Sequence, residues 1–309
     1  MLRDLGPRDA AALFELTRVS FPEESVLLGF RPEAMERVLR RLFRPHIRLL
    51  LGLARLAGRP VFRYFVLEEG GRLVAGTLLT YTERAGYVSN VSVDPAFRRR
   101  GFARQLLLRA QAETARRHRR YVVLDVLSTN APAIALYRSL GYRPLRTVHL
   151  WSRELGPGEP PAAPASRPYR PGDLPELLAA ARAELPDEVD AVLPTGPGEF
   201  GATSFVDALL AARSYPRTVE IDGRPAAYLH LSASQTQTSG NLRLVVAPSV
   251  APERLLPALA EGFAWARAAG AQRIVAQLPD YKRAATAVLR AAGFTPVYEL
   301  QTLYRPSGA

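Results

Sequence analysis

The 309-residue chain predicts an α/β protein, with mixed α+β layers, in which one fold is used twice in tandem. Three observations carry this. Alternating apolar runs of strand length exchange with amphipathic runs of helix length along the chain. The stretch 156–168, Gly-Pro-Gly-Glu-Pro-Pro-Ala-Ala-Pro-Ala-Ser-Arg-Pro, has no apolar period and reads as a semi-rigid linker. Features before that linker also return after it. Gly71-Arg72 returns as Gly223-Arg224 and Gly141-Tyr142 as Gly293-Phe294, both 152 residues on, and Pro7-x-Asp9 returns as Pro171-x-Asp173. Domains are therefore expected over 1–155 and 169–309, each of ordinary domain size.

The elements of the first copy follow in order. Helices are expected near 8–19 and 32–44, then strands near 61–68 and 72–82 around the turn Gly71-Arg72. The segment 21–60 is long enough to roof part of a site with its own helices. Val88-Ser89-Asn90-Val91-Ser92-Val93 alternates like a half-buried strand and is stopped by Asp94-Pro95, giving a strand 86–93. Phe102, Leu106, Leu107 and Ala110 fall at helical spacing within a helix 101–118. Tyr121–Leu127 is a continuous apolar strand interrupted by Asp125. A helix 130–139 has Asn130 as N-cap, Pro132 in its first turn and Gly141 to close it, and strands continue to about 154.

The main functional clue lies between strand 86–93 and helix 101–118. Arg98-Arg99-Arg100-Gly101-Phe102-Ala103 makes a short basic loop leading into a helix start. The first N–H groups of a helix have no internal acceptor and the helix dipole favours negative charge there, so this is an anion cradle. Gly101 removes a side chain where a phosphate must approach, and Ala103 keeps the next turn small.

The loop, Arg/Gln-x-x-Gly-x-Gly/Ala after a strand ending Val-x-Val-Asp-Pro, resembles the pyrophosphate loop of the GNAT superfamily of N-acetyltransferases. About thirty residues on, Ser128–Tyr142 reads S-x-N-x-x-A-x-x-L-Y-x-x-x-G-Y, which is similar to that family's other signature. The resemblance covers roughly 1–155 and is strongest over 86–142. It implies two tandem GNAT-like acetyltransferase domains, each a mixed sheet flanked by helices. It also implies acetyl-CoA as acetyl donor. The backbone of Val91 and Val93 would pair with the pantetheine arm, with the Val93 N–H facing the thioester oxygen. The amides of Arg99, Arg100, Gly101, Phe102 and Ala103 would hold the pyrophosphate, with Arg98 and Arg104 near the phosphates. Asn130 would bond the pantetheine and Tyr137 would protonate the departing thiolate. Tyr137 also reads as a boundary tyrosine with a tethered hydroxyl.

The base is less defined. Many members of the family carry a glutamate on the strand that here ends at Val93, but 88–93 contains no acid. A branch that acetylates ribosomal proteins and other N-termini places a glutamate twelve residues before the tyrosine, and Asp125 stands there. Being one methylene shorter, it would reach an amine through a water, or it serves as a structural carboxylate at the strand end. Glu83 and Glu23-Glu24 are lesser candidates. Phe21, Tyr81, Tyr87 and Trp151 could line the acceptor side, and each reads equally as core.

The second copy is expected to lack the chemistry. At the same offset Asp125 becomes Gln277, Asn130 becomes Lys282 and Tyr137 becomes Leu289. Its loop region, Val246–Leu255, has no glycine and includes Pro252, which lacks an N–H, and Glu253, which has the wrong charge. It is read as a degenerate domain.

Composition bounds the partners. Residues 1–155 hold 27 arginines against 14 acidic residues, whereas 156–309 hold 14 basic against 15 acidic, so the excess lies on the copy with the basic loop. That favours an anionic ligand. Nucleic acid is a weaker expectation, because no RNA-reading motif accompanies the charge. Arg37, Arg40, Arg41, Arg44 and Arg48 read as one solvated helix face. Cysteine is absent and the four histidines show no ligand spacing, so no metal is expected. Met1–Pro7 does not read as a signal peptide, and the apolar stretch Leu49–Ala54 falls far short of a membrane span, so a soluble cytoplasmic protein is expected. Monomer and homodimer both remain open. The reading reached is an acetyl-CoA-dependent N-acetyltransferase acting on a primary amine of a small molecule or protein N-terminus. An acyl-CoA-binding regulator and an RNA- or ribosome-associated protein without turnover stand beside it.

Overall fold

The structure is a computed structural model that describes residues 1–21, 62–157, 165–201 and 212–308, with Leu27, Gly29, Arg31, Ala34 and Arg37 besides. The expected helix 32–44, the arginines Arg40 to Arg48 and Glu23-Glu24 lie outside the described residues, apart from Ala34 and Arg37. The chain forms two compact units, Met1–Leu145 with Gln301–Ala309, and Arg146–Leu300.

Unit 1 runs β1 (Leu2–Asp4), α1 (Ala10–Ser20), β2 (Phe62–Glu69), β3 (Arg72–Tyr81), β4 (Ala85–Val93), α2 (Phe102–Arg116), β5 (Tyr121–Leu127) and α3 (Ala131–Ser139). Strands β1 to β4 pair antiparallel in order, and β5 joins β4 in parallel, as a connection through the crossover helix α2 requires. Helix α2 buries Leu106, Leu107 and Ala110 completely, each leucine contributing roughly 2 kcal/mol by removal from water. It can lie this close to β4 because position 86 is glycine: a Cβ there would come 2.2 Å from Thr114 Oγ1 of α2.

Unit 2 runs β6 (Arg143–Glu154, of which 146 onward belongs here), β7 (Arg167–Pro168), α4 (Leu174–Arg182), α5 (Asp187–Val192), β8 (Arg213–Ile221), β9 (Arg224–Ala233), β10 (Ser239–Val246), α6 (Leu256–Ala268), β11 (Arg273–Pro279), α7 (Arg283–Ala291) and β12 (Thr295–Pro306). Strands β7 to β10 again pair antiparallel in order and β11 joins β10 in parallel. Local irregularities repeat too. The ladder β2–β3 slips between Leu67 and Glu68, and β8–β9 slips 152 residues on, between Val219 and Glu220. Helix α3 ends with the Tyr142 N–H on the Tyr137 carbonyl and α7 with the Phe294 N–H on the Leu289 carbonyl, the same glycine-dependent cap in both. The mixed sheet flanked by helices, expected twice, is thus present in each unit.

Each unit takes its last strand from outside the span expected for it. Strand β6, expected with residues 1–155, pairs antiparallel with β11 from Val148↔Pro279 to Glu154↔Arg273. Residues from Gln301, expected with 169–309, belong to unit 1, where β12 neighbours β5. The physical reason is shared hydrogen bonding: each strand satisfies its backbone on the edge it meets, whatever its distance in sequence.

Candidate active site

In unit 1 the parallel pairing of β4 and β5 is short. It runs only from Ala85↔Tyr121 to Val88↔Leu124, so among the described residues Ser89–Val93 has no partner on the β5 side. On its other edge β4 slips against β3 between Ser89 and Ser92, where Asn90 adopts φ 52°. The strand is thereby bent and leaves an open edge at Ser89–Val93 beside the chain's basic loop.

That loop is fixed at its start by Asp94. Its N–H donates to the Val74 carbonyl, its carboxylate accepts from Ala96 N at 2.9 Å, and Arg72 pairs with it at 2.7 Å. After the short turn Pro95–Phe97, two left-handed residues, Arg99 at φ 66° and Gly101 at φ 80°, swing the chain into α2. The first intrahelical bond runs from Gln105 N to Gly101 O, so the N–H groups of Phe102, Ala103 and Arg104 have no acceptor within the helix. Among the described residues nothing lies within 4 Å of where a Gly101 Cβ would sit. Arg98 folds back on the Val93 carbonyl at 3.4 Å, and Arg100 pairs with Glu69 at 2.9 Å. Arg99 and Arg104 are exposed and form no ion pair among the described residues.

Helix α3 packs on the same core as this loop. Val91, Val93, Phe97 and Phe102 pack on the core cluster that contains Tyr137, as do Ala133 and Leu136. Asn130 caps α3, its side-chain oxygen accepting from Ala133 N at 3.2 Å, which leaves its amide group to donate. Tyr137 is buried at 6 % exposure, and its hydroxyl has no hydrogen-bond partner among the described residues. Burial pushes its phenol well above the usual range, so it stays protonated through neutral pH. Its ring lies 6.0 Å from that of Tyr142, whose phenol burial pushes up to about 12.

Asp125 sits on β5 one residue past the last pair with β4. Both of its oxygens are engaged: the Tyr87 hydroxyl donates to Oδ2, and the Thr302 hydroxyl donates to Oδ1 at 2.6 Å. Each carboxylate oxygen retains a second lone pair. Of the other sequence candidates, Glu83 is exposed and Trp151 belongs to the core of unit 2. Tyr87, weighed in the sequence as acceptor-lining or core, is a hydrogen-bond partner of Asp125. Thr302 was not foreseen, and no local signal marks a residue 177 positions away from the carboxylate it serves.

The corresponding positions of unit 2 differ. Gln277 is exposed, Leu289 is fully buried, and Lys282, at the start of α7, extends its ammonium to the Ala181 carbonyl without capping the helix. No residue from 247 to 255 adopts a positive φ, and the turn into α6 carries Pro252 and Glu253.

A strand edge, a left-handed loop and a helix N-terminus thus form one continuous candidate site in an α/β fold, with amides that suit an anion. Residues 15–142 match the model of the acetyltransferase (GNAT) family, so unit 1 contains a GNAT acetyltransferase domain. Over 78 residues the chain is 35 % identical to the [ribosomal protein bS18]-alanine N-acetyltransferase of Escherichia coli strain K12, a match covering 25 % of this chain. The chain spans about half the length of that curated relative, 53 %. Two solved structures share the fold across the whole chain. A tandem GNAT protein from the clavulanic acid biosynthesis pathway is 17 % identical with TM-score 0.63, covering 100 % of this chain and 99 % of its own. A GCN5-related N-acetyltransferase from Sphaerobacter thermophilus is 17 % identical with TM-score 0.65, covering 99 % and 95 %.

Proposed function

We propose that unit 1 is an acetyl-CoA-dependent N-acetyltransferase that acetylates a primary amine of a small molecule or a protein N-terminus. The observation that supports it best is the open β4 edge at Ser89–Val93 running straight into the free amides of Phe102–Arg104. An extended arm fits the first and a pyrophosphate the second. Val91 and Val93 would pair with the pantetheine, and the Asn130 amide would donate to it. The amides from Arg99 to Ala103 would hold the pyrophosphate, with Arg98, Arg99 and Arg104 meeting the outer phosphate charge. Arg100, already paired with Glu69, contributes its backbone N–H more than its charge.

Acetyl-CoA supplies an acetyl group on a thioester, whose carbon accepts the amine nitrogen as its C–S bond breaks. Asp125 takes the proton lost by the amine, directly or through one water. Tyr137 gives its proton to the departing sulfur, and its burial keeps it loaded for that step. Unit 2, with leucine at the position of the tyrosine and proline and glutamate in its loop, is proposed as a degenerate copy that encloses or shapes rather than catalyses. The relative's named target, an N-terminal alanine, makes a protein N-terminus the first acceptor to try.

The test is calorimetric titration of acetyl-CoA, followed by thiol release with an N-terminal-alanine peptide, spermidine and lysine as acceptors. Saturable binding and release with one of them are expected. Folded chain that does not bind acetyl-CoA would overturn the reading.

A further inference from the structure

The segment Gln301–Ser307 bonds to one of the residues to which the proposed chemistry is assigned and to the end of the helix that carries the other. Thr302 donates to Asp125 Oδ1 at 2.6 Å. Three residues on, Arg305 donates to the Leu140 carbonyl at 2.7 Å, capping the helix that carries Tyr137. The same guanidinium donates to Gln111 Oε1 at 3.1 Å, and Gln111 donates to the hydroxyl of Tyr142, whose ring lies 6.0 Å from that of Tyr137, at 3.4 Å. Between them Leu303 is fully buried in the core cluster of Tyr137, and Tyr304 meets Tyr121 edge to face at 6.0 Å. Ser307 closes the segment, its N–H on the Arg120 carbonyl at 2.9 Å and its hydroxyl on the Arg119 carbonyl.

We infer that the segment Gln301–Ser307 is a working part of the acetyl-transfer site, with Thr302 as the positioning residue of Asp125 and Arg305 as that of the Tyr137 helix. This rests on the function proposed above. An aspartate one methylene short of a glutamate must be aimed well to serve an amine, and free rotation about its side chain would cost it that aim. Two hydroxyls, one on each oxygen, fix the plane of the carboxylate and leave one lone pair on each oxygen for the incoming proton. A donor at a helix C-terminus likewise satisfies a carbonyl that has no partner inside the helix, and its positive charge suits that end. The two devices are three residues apart on one strand, so a single element sets the proton acceptor and the proton donor relative to each other. Because the element lies 177 residues after Asp125 in sequence, unit 1 is complete only once residues 301–307 have joined β5.

The test uses the full-length chain in the variants Thr302→Val, Thr302→Ser, Arg305→Met and Asp125→Asn. Turnover is followed with acetyl-CoA and the best acceptor of the panel, and backbone hydrogen exchange is followed over residues 121–142. Thr302→Val keeps the shape and removes the donor, so kcat is expected to fall about tenfold with KM for acetyl-CoA unchanged within about twofold. Thr302→Ser restores kcat, which a purely space-filling role would not produce. Arg305→Met is expected to speed exchange across α3 while leaving α2 as in the parent. Wild-type kcat in Thr302→Val together with unchanged exchange in Arg305→Met overturns the inference. So does a kcat loss that serine does not rescue. Full activity in Asp125→Asn refutes instead the proton-acceptor assignment underneath, and the exchange result then stands or falls by itself as a statement about α3.

Discussion

Arg3 grips Asp9 with both terminal nitrogens, at 2.6 and 2.8 Å, and Arg167 grips Asp173 in the same way, at 2.8 and 2.7 Å. In each case the aspartate also accepts a backbone N–H three residues earlier, from Gly6 or Arg170, and the arginine reaches a second carboxylate at the strand slip, Glu68 or Glu220. The fork pins the start of the first helix of each unit to its sheet. The Arg167 guanidinium holds the Asp173 carboxyl down to about 2, against an ordinary 3.8, helped by the Arg170 N–H and the Thr218 hydroxyl. A depressed carboxyl stabilises the folded state above its unfolded value and loses that contribution as pH falls through its folded value. Asp173→Asn is therefore expected to cost roughly 2 kcal/mol at neutral pH, and the gap from the parent should close as pH drops from about 4 towards 2. Denaturant melts of both proteins across that range give the answer, and a gap independent of pH would refute the linkage.

Tyr137 separates binding from chemistry. Its hydroxyl has no partner among the described residues, so deleting it breaks no protein hydrogen bond and leaves no orphaned group. Tyr137→Phe should melt within about 0.5 kcal/mol of the parent and bind acetyl-CoA with Kd unchanged within about twofold. Its kcat should fall at least about tenfold, because the departing sulfur loses its proton source. Parent-like turnover would refute the role.

Gly101 is held at φ 80°, and among the described residues nothing lies within 4 Å of where its Cβ would sit. Substitution there is opposed by backbone strain rather than by contact with the protein. Gly101→Ala should cost about 1 kcal/mol of stability. Gly101→Glu adds a negative charge in front of amides proposed to meet a pyrophosphate, and is expected to abolish acetyl-CoA binding. Calorimetry on the two variants separates strain from charge. Equal affinities for both would mean that the phosphates lie elsewhere.

The arginines of the loop should not be equivalent. Arg100 is already neutralised by Glu69, while Arg99 and Arg104 are exposed and form no ion pair among the described residues. Arg99→Ala and Arg104→Ala are expected to weaken acetyl-CoA binding about three- to tenfold in low salt, an effect that added salt erodes. Arg100→Ala should change it by less than about twofold. Three equal losses would show that the ion pair with Glu69 opens on binding.

Much of unit 1 was legible because its signals are local. The alternation Val88–Val93, the stop at Asp94-Pro95, the helical spacing of Phe102, Leu106, Leu107 and Ala110, and the cap pair Asn130 and Gly141 each act within a few residues. The observed elements fall within a few residues of those expected. The loop's approach to a helix N-terminus was legible for the same reason. What could not be read is non-local. Nothing in Thr295–Pro306 or Arg143–Glu154 states which edge a strand will join, so the exchange of final strands between the two expected spans was invisible, and with it the bond from Thr302 to Asp125. The engagement of Asp125 by Tyr87 was likewise hidden, since a carboxylate's partners depend on the register of β4 against β5.

The number of acetyl-CoA sites per chain follows from the difference between the two loops. In unit 1 two left-handed residues turn the chain into α2, whose first amides have no acceptor within the helix. In unit 2 the stretch 247–255 has no positive φ, Pro252 offers no N–H, and Glu253 brings a negative charge to the turn that precedes α6. The lysine that replaces Asn130 is drawn to the Ala181 carbonyl, and burial lowers its pKa. One molecule of acetyl-CoA is therefore expected to bind per chain. Gly101→Glu should abolish that binding rather than leave a second, weaker site, because the remaining loop repels phosphate on two separate grounds. Calorimetric stoichiometry on the parent and on Gly101→Glu decides it, and residual saturable binding in the variant would show that unit 2 holds a donor by a route its loop does not reveal.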